Sequence, residues 1–330
     1  MLKALTILNP DNFNTVFGPS EQADLASRLQ LLAPPMGPAE ARSRPDLLAQ
    51  MDILLSSWGG PKLDETFLQA SPRLQLVLYA AGSIRGLVTP EFWARRIPIC
   101  SAWAANAIPV TEFTLSQILF SLKHGWKYVF AVKRLGAYPP REPVPGAYQS
   151  TVGLVSLGMI GRQVAERLKT FDLRVLAYDP FVGEDDARRL GVTLRPLDDL
   201  FRESDVVSLH TPWLKETERM IRGAHFRAMK PGATFINTAR GAIVEEAEMI
   251  EVLQQRLDIF AVLDVTYPEP PRAGSPLYSL PNVVLTPHIA GSMSGECRRM
   301  ARFMIEELDR YLAGEPLRWQ VTEEMARRMA

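Results

Sequence analysis

Polar side chains with useful chemistry follow most of the short apolar runs between residues 152 and 285. They are Asp179, His210, Thr211, Asn237, Thr238, Arg240, Asp264, Thr286 and His288. If the apolar runs are strands of an open parallel sheet, these side chains lie at the carboxyl ends of the strands, where such sheets bind ligands. A whole edge of polar residues is better explained by a binding cleft than by chance.

A partial dinucleotide fingerprint follows the first of these runs. The segment Ser156-Leu157-Gly158-Met159-Ile160-Gly161 matches Gly-x-Gly-x-x-Gly, with serine at the first glycine position. Glycines in this motif allow a tight turn and let the backbone approach a pyrophosphate, whose charge is attracted by the N-terminus of the next helix. A purely structural turn explains the partial motif equally well. Serine at the first position has a steric cost if the turn requires a positive φ angle.

Asp179 strengthens the dinucleotide hypothesis. It follows the next apolar run, at about the ~20-residue interval where an acidic residue accepts hydrogen bonds from the adenosine ribose. Its charge would repel a 2′-phosphate, so we predict NAD rather than NADP as the cofactor. The alternative is that Asp179 only forms a turn before Pro180.

An arginine and a histidine at the strand ends are candidates for binding a substrate and for moving a proton. The planar guanidinium of Arg240 can pair bidentately with a carboxylate and polarise the neighbouring carbonyl. The imidazole of His288 can protonate a carbonyl oxygen as a hydride reaches the carbon, and can reverse this step in oxidation. The alternatives are a surface salt bridge for Arg240 and a packed or solvated side chain for His288.

Two series of apolar runs, alternating with stretches of helical spacing, must position these residues. This alternation indicates βαβ units and parallel sheets. Strands are predicted at residues 5–8, 53–55, 76–79 and 97–99 in the first series, and at 152–155, 175–177, 206–209, 233–236, 259–263 and 283–285 in the second. A helix is predicted over 111–122, a loop over 136–150, and a last helix over 300–312 that stops at Gly314.

These elements predict an α/β protein with two doubly wound parallel-sheet domains and a cleft between them. The predicted substrate domain comprises residues 1–104 plus 292–330, because the last helix follows the second series and is expected to return to the first domain. The predicted cofactor domain comprises residues 105–291.

Composition excludes several classes of protein. The 37 Lys and Arg residues balance 37 Asp and Glu residues, which disfavours binding to nucleic acid or to anionic lipid. No apolar run approaches the length of a membrane span. Cys100 and Cys297 are isolated, so neither a disulfide framework nor a metal site is expected, and a reducing cytoplasm is the predicted compartment.

Four segments together resemble the D-isomer-specific 2-hydroxyacid dehydrogenase family. They cover residues 152–161, 229–241, 263–270 and 286–291, and their order and spacing match over the whole second series. The resemblance implies an NAD-dependent oxidoreductase acting on CH–OH groups, with a flavodoxin-like substrate domain and a Rossmann NAD-binding domain. It also implies a homodimer formed through the cofactor domains, with residues 136–150 near the contact.

The resemblance assigns roles to the residues at the strand ends. It implies that Arg240 is the substrate arginine, that His288 is the proton donor, and that Glu269 orients His288 and favours its protonated form. Related formate dehydrogenases are expected to have glutamine at the position of Glu269, so a glutamate favours a hydroxyacid substrate. Asp264 is implied to hold the nicotinamide carboxamide, and further cofactor contacts are expected from His210, Thr211, Thr238, Ala239 and Gly291.

In the first domain, the resemblance places the substrate carboxylate on backbone N–H groups of Ala81, Gly82 and Ser83. The chain departs from the family here, because Ser83 and Ile84 stand where valine and aspartate are common. The departure leaves backbone binding possible but bears on substrate preference. Asn106 resembles the family's asparagine near nicotinamide and substrate, and N-terminal capping of a helix is the alternative.

These observations together predict an NADH-dependent reductase of small 2-keto acids of the glyoxylate or hydroxypyruvate type, with the 2-hydroxy acid as product. The rival hypothesis is an NAD(H)-sensing binding protein like the corepressors that share this architecture. The zero net charge counts against it. Turnover of NADH with a keto acid separates the two.

Overall fold

A computed structural model describes residues 1–329. The chain divides into two compact units. Unit 1 is formed by Met1–Ala107 and the residues from Ser292 onward, and unit 2 is formed by Ile108–Gly291.

Unit 1 contains a five-stranded parallel sheet in the order β2-β1-β3-β4-β5, which is the flavodoxin-like order. Its strands are β1 Lys3–Ile7, β2 Gln30–Leu31, β3 Ile53–Ser56, β4 Leu76–Tyr79 and β5 Ile99–Ser101. Its helices are α1 Phe13–Val16, α2 Pro19–Arg28, α3 Pro38–Arg42, α4 Pro45–Leu48, α5 Glu65–Ala70, α6 Pro90–Ala94, α14 Cys297–Leu312 and α15 Glu323–Arg328. Helix α7, Trp103–Ser121, contains the boundary between the units.

Unit 2 contains a seven-stranded parallel sheet in the order β12-β11-β10-β9-β6-β7-β8. Its strands are β6 Tyr148–Val155, β7 Asp172–Tyr178, β8 Thr193–Leu194, β9 Val206–Leu209, β10 Thr234–Asn237, β11 Phe260–Leu263 and β12 Val283–Leu285. Its other helices are α8 Gly125–Leu135, α9 Met159–Leu168, α10 Glu184–Leu190, α11 Leu197–Glu203, α12 Gly223–Ala228 and α13 Glu246–Gln255. The predicted class, an α/β protein with two parallel sheets, is confirmed.

Burial explains why the sequence forms these sheets. The central strands β9 and β10 are buried along their whole length, as expected for a parallel sheet with helices on both faces. Helix α14 buries a stripe at helical spacing that includes Met300, Met304 and Leu308 against the core of unit 1. No helix within residues 1–329 has both the length and the apolar character needed to cross a bilayer.

The observed elements differ from the sequence prediction mainly at their ends. Helix α7 begins at Trp103 rather than 111, because the alanine-rich first turns show no clear apolar period and Pro109 suggests an earlier break. Helix α8 lies between the predicted helix over 111–122 and the predicted loop over 136–150, and β6 begins at Tyr148 inside that loop. The two-residue edge strands β2 and β8 are too short for a pattern to predict.

Candidate active site

The fingerprint loop turns sharply between β6 and α9. Ser156 has a φ angle of 77°, in the left-handed region that glycine adopts most easily. Its N–H donates to the carbonyl oxygen of Tyr178 over 2.8 Å. A Cβ atom at Gly161 would lie 2.1 Å from the Ser156 carbonyl oxygen, so the close approach of helix α9 to the loop requires glycine there. The predicted steric cost of Ser156 is therefore present.

The loop lies at the point where the strand order of the sheet reverses. From β6 the chain proceeds outward through β7 and β8, and then returns to β9 on the other side of β6. The crevice at such a switch point is where doubly wound sheets bind ligands. Ser156 follows β6 and Thr211 follows β9, and their hydroxyl oxygens are 2.9 Å apart across this crevice.

The residues around the crevice fit a dinucleotide. A Cβ atom built on Gly158 meets no atom within 4 Å, so the backbone before helix α9 is open to a ligand, and Met159 and Ile160 form the first turn of that helix. The Asp179 carboxylate accepts from the N–H groups of Leu157, over 2.8 Å, and Phe181, over 2.9 Å. These bonds fix an acceptor for ribose hydroxyls beside the loop.

His210 is buried behind the same loop and is electrically neutral. Burial lowers its pKa from 6.5 to about 4. Its Nε2 atom lies 3.0 Å from the Ser208 hydroxyl, and its buried Nδ1 atom has no hydrogen-bond partner among residues 1–329. Because a neutral imidazole at physiological pH is a poor proton donor, His210 is not suited to the proton-donor role that was predicted for His288.

Asp264 organises the turn that carries His288. One of its carboxylate oxygens accepts from the Thr286 hydroxyl over 2.6 Å and the Ile289 N–H over 2.8 Å, and the other accepts from the Ala290 N–H over 2.9 Å. The His288 N–H donates to the Asp264 carbonyl oxygen over 3.0 Å. The buried aspartate thus anchors the turn. Its implied contact with a nicotinamide carboxamide stays a prediction.

His288 and Glu269 are paired. The Nδ1 atom of His288 lies 2.6 Å from Oε1 of Glu269, and the two side chains are 45% and 41% exposed. His288 has a φ angle of 54°, held by the bonds that Asp264 makes on either side of it. A carboxylate on Nδ1 favours a proton on that nitrogen and directs Nε2 away from the pair, toward a reacting group.

Arg240 lies at the end of β10 in a turn that its neighbours stabilise. The Asn237 side chain donates to the Arg240 carbonyl oxygen over 3.1 Å and accepts from the Ala239 N–H over 3.0 Å. The Thr238 hydroxyl is 2.9 Å from that of Thr114. A Cβ atom at Gly241 would lie 2.0 Å from the Thr266 carbonyl carbon, so only glycine allows this turn to approach the segment that leads to Glu269.

Three adjacent strands therefore position the candidate catalytic residues. Arg240 follows β10, Glu269 follows β11 and His288 follows β12, and these strands are consecutive in the sheet. Neighbouring strands are about 4.8 Å apart, so the three turns begin within about 10 Å of one another. A guanidinium, a carboxylate and an imidazole at one sheet edge can bind a carboxylate, and can deliver a proton beside it.

Comparison with known proteins decides the family. The model of the NAD-binding domain of D-isomer-specific 2-hydroxyacid dehydrogenases matches residues 118–290. A glyoxylate reductase of Korarchaeum cryptofilum is 33% identical over 268 residues, which are 80% of this chain and 80% of that protein. The chain belongs to the D-isomer-specific 2-hydroxyacid dehydrogenase family. The resemblance found in the four sequence segments is confirmed.

Other members of the family share part of the sequence or the fold. A D-3-phosphoglycerate dehydrogenase of Archaeoglobus fulgidus is 33% identical over 258 residues, which are 78% of this chain and 49% of that protein. The chain thus spans about half the length of this relative. The crystal structure of a D-isomer-specific 2-hydroxyacid dehydrogenase from Lactobacillus delbrueckii ssp. bulgaricus, complexed with NAD, superposes with a TM-score of 0.79 at 22% identity, covering 97% of this chain and all of that one.

The loop that the family resemblance connects with substrate lies in unit 1 after β4. The Ser101 hydroxyl lies within hydrogen-bonding distance of two carbonyl oxygens, at 2.9 Å from that of Ala81 and 2.5 Å from that of Gly82, and its one proton can be donated to either. The Ala81 N–H donates to the Tyr79 carbonyl oxygen, so it is already used inside the loop. The backbone donors that the loop can offer are therefore those of Gly82 and Ser83.

Asn106 does not cap a helix, so that alternative is wrong. It lies within α7, and its side-chain oxygen accepts from the Ser292 N–H over 2.9 Å. Ser292 directly follows Gly291, the last residue of unit 2. The helix starts before Asn106 because its first turn is built from Trp103 and the alanines that follow. The family's contact of this residue with nicotinamide stays a prediction.

Sequence reasoning missed several residues that shape the site. Thr114, Ser101 and Glu246 contact segments that carry predicted site residues, through Thr238, Gly82 and Tyr267 respectively. Thr114 and Glu246 lie in helices, so the signal that identified the others, a polar residue after an apolar run, was lacking for them. Ser101, the last residue of β5, was the one residue that a rule based on strand ends could have found.

Proposed function

We propose that this protein is an NADH-dependent D-2-hydroxyacid dehydrogenase that reduces small 2-keto acids of the glyoxylate or hydroxypyruvate type. The observation that carries the proposal is the 2.6 Å contact between His288 Nδ1 and Glu269 Oε1 at the sheet edge that also holds Arg240. A relative that is similar over most of both chains is named glyoxylate reductase, which supports a small keto acid.

Each residue of the triad has a separate task in the proposed reaction. Arg240 pairs with the substrate carboxylate and polarises the keto group. His288 donates the proton from Nε2 to the keto oxygen, and Glu269 stabilises the imidazolium form that this step consumes. NADH, when bound, supplies the hydride. In the reverse direction, His288 accepts the proton of the hydroxyl group.

The cofactor is held by the fingerprint loop in this proposal. The N-terminus of helix α9 receives the pyrophosphate beside Gly158, and Asp179 accepts from the ribose hydroxyls. A 2′-phosphate would meet the Asp179 carboxylate, so NADH is favoured over NADPH. His210, Thr211, Thr238, Ala239 and Gly291 complete the proposed contacts.

A panel of 2-keto acids assayed with NADH and with NADPH tests the proposed function. We expect NADH-dependent reduction of glyoxylate to glycolate, which is achiral, or of hydroxypyruvate to D-glycerate. D-3-phosphoglycerate is included in the oxidative direction because several relatives, the Archaeoglobus fulgidus protein among them, are named D-3-phosphoglycerate dehydrogenase. If NADH binds but no keto acid of the panel is reduced, the proposed reductase activity is contradicted and an NAD(H)-sensing protein is favoured.

We also propose that residues 105–291 form the cofactor domain, that residues 1–104 plus 292–330 form the substrate domain, and that two chains associate through their cofactor domains. Large apolar or aromatic side chains are exposed along the stretch from the end of α7 to the start of β6, and such exposed side chains are typical of protein contacts, which supports the dimer. They are Phe120, Leu135, Tyr138 and Tyr148. Sedimentation at micromolar concentration tests it, and a monomer would contradict it without affecting the proposed reaction.

A cytoplasmic location is proposed on the basis of the cysteines. Cys100 and Cys297 are both free and buried, as is usual in a reducing compartment. Fractionation of the source cells tests the location, and recovery of the protein outside the cytoplasm would contradict it.

A further inference from the structure

The Glu269 side chain depends on its backbone for its position. Among the residues that the structure describes, the hydrogen bond to His288 is the only one that its carboxylate makes, and the side chain is 41% exposed. The carboxylate is therefore tied by a single polar partner. Its distance from His288 Nδ1 is set by the path of the segment from Thr266 to Arg272.

On one side, this segment is packed closely. Gly241 lets the Arg240 turn approach the Thr266 backbone, and the Thr266 hydroxyl donates to the Pro268 carbonyl oxygen over 2.9 Å. The ring of Tyr267 meets that of Trp213 edge to face, with centroids 5.4 Å apart. These contacts fix the start of the segment.

On the other side, parts of the segment line a cavity. A space of about 400 Å³ is lined by Tyr267, Pro268 and residues 272–276, and by residues of the first turns of helix α13. Its lining includes Arg219, Glu245, Glu246, Tyr267, Pro268 and Arg272. Packing contacts are absent across this space, so a hydrogen bond from helix α13 to the segment would add a restraint on the path that leads to Glu269.

Glu246 supplies a bond across the cavity. Its Oε2 atom accepts from the Tyr267 N–H over 3.1 Å, two residues before Glu269. Burial raises the pKa of Glu246, whereas this N–H bond and the charge of Arg272 lower it. The neighbouring Glu245 faces Arg219 at 3.5 Å instead. Glu246 therefore links α13 by a hydrogen bond to the segment that carries the acidic partner of His288.

We propose that Glu246 is a positioning residue for the reaction, because its bond to the Tyr267 N–H keeps the Glu269 carboxylate against His288 Nδ1. The catalytic consequence of this proposal rests on the proposed function. The effect of Glu246 on the Glu269–His288 pair does not. Glu246 itself is not a catalytic residue, since it touches none of the proposed reacting groups.

Three substitutions separate positioning from general effects of charge and of helix stability. Glu246→Met keeps the length and helix preference of the side chain but removes the acceptor oxygen. Glu246→Gln keeps an acceptor for the Tyr267 N–H without the charge. Glu245→Ala removes a carboxylate from the same cavity and the same helix end, and it is the matched control. Glu246→Ala is the second test variant if the methionine variant does not fold.

The first measurement is the pH profile of keto-acid reduction. Loosening the pair makes the protonated imidazole less stable, so in Glu246→Met the alkaline limb of kcat should move to lower pH by about one pH unit. Activity above that limb should then fall about tenfold, with KM changing much less. Glu246→Gln and Glu245→Ala should keep the limb of the wild-type protein.

The second measurement needs no turnover. At alkaline pH, the ¹⁵N imidazole shifts of His288, assigned by its loss in His288→Gln, report which ring nitrogen carries the proton. We expect the Nδ1–H tautomer in the wild type, Glu246→Gln and Glu245→Ala, and a shift toward Nε2–H in Glu246→Met. If the wild type reduces no keto acid, the proposed function fails and this measurement still decides the role of Glu246.

The proposal is overturned if Glu246→Met leaves the His288 tautomer unchanged. It is also overturned if Glu245→Ala has the same effect as Glu246→Met, because the cause would then be charge at the helix end. A Glu246→Gln variant that behaves like Glu246→Met would likewise contradict a role through the Tyr267 N–H bond.

Discussion

At residue 156, the first position of the fingerprint, we expect glycine to give a more stable folded protein than alanine. The backbone there has a φ angle of 77°, and the side-chain hydroxyl lies 2.9 Å from the Thr211 hydroxyl. Ser156→Ala removes the hydroxyl but keeps the strain of a Cβ atom at positive φ. Ser156→Gly removes both. The two variants therefore separate the strain from the hydrogen bond.

The magnitudes follow from these two contributions. Losing one hydrogen bond costs about 1 kcal/mol, so Ser156→Ala should lower the free energy of unfolding by about that amount. Relief of the left-handed strain gains about 1–2 kcal/mol, and the extra freedom of glycine in the unfolded chain returns about 0.5–1 kcal/mol of this gain. Ser156→Gly should therefore be about 0.5–1 kcal/mol more stable than Ser156→Ala, and close to the wild type.

Equilibrium unfolding in urea, followed by circular dichroism, measures both differences as shifts of the midpoint at constant slope. Thr211→Val is the control for the hydrogen bond: it should destabilise the wild type, and it should cost much less in Ser156→Ala, where the partner is already gone. If Ser156→Ala is as stable as Ser156→Gly, the reasoning about strain is refuted. If Thr211→Val costs the same in both backgrounds, the hydroxyl pair contributes nothing.

Four further predictions concern the cofactor, the substrate, pH and the thiols. Asp179→Ser should raise kcat/KM for NADPH relative to NADH, measured by steady-state kinetics, because the charge facing a 2′-phosphate is gone. Arg240→Lys should raise KM and lower kcat for the keto acid, since a point charge cannot replace the bidentate fork. The pKa of His210 in the folded protein is about 4, below its ordinary 6.5, so its contribution to the free energy of unfolding is fully present above pH 6.5 and is lost as the pH falls toward 4. The urea midpoint of the wild type should fall over this range, and that of His210→Gln should fall less. Burial raises the pKa of the Cys100 and Cys297 thiols, so a disulfide reagent should label both only after denaturation.

The sequence was informative where an apolar run ends in a polar residue. The strands that position Ser156, Asp179 and Arg240 are buried on both faces in their C-terminal parts. These parts appear as continuous apolar runs, and the residue after each run has to lie at the sheet edge. The edge strands β2 and β8 have two residues each and bury little, and no pattern marked them.

Contacts between segments that are distant in sequence could not be predicted. The resemblance implied a cofactor contact for Asp264, which stays a prediction, but it gave no sign that this carboxylate accepts three hydrogen bonds from the turn around His288. Glu246 reaches Tyr267 across a cavity whose existence depends on how α13 packs. Such roles depend on tertiary distances, whereas residue type and spacing report only on the local chain.

The central claim is that His288, supported by Glu269, donates the proton during keto-acid reduction. The most direct test is the pH–rate profile of the wild type and of Glu269→Gln, with NADH and with NADH deuterated at the transferred position to show that chemistry limits the rate. Glutamine can still accept from Nδ1 but lacks the charge that stabilises the imidazolium form. We predict similar rates at low pH and an alkaline limb displaced to lower pH in the variant. An unchanged alkaline limb, with the isotope effect expressed in both proteins, would contradict the claim.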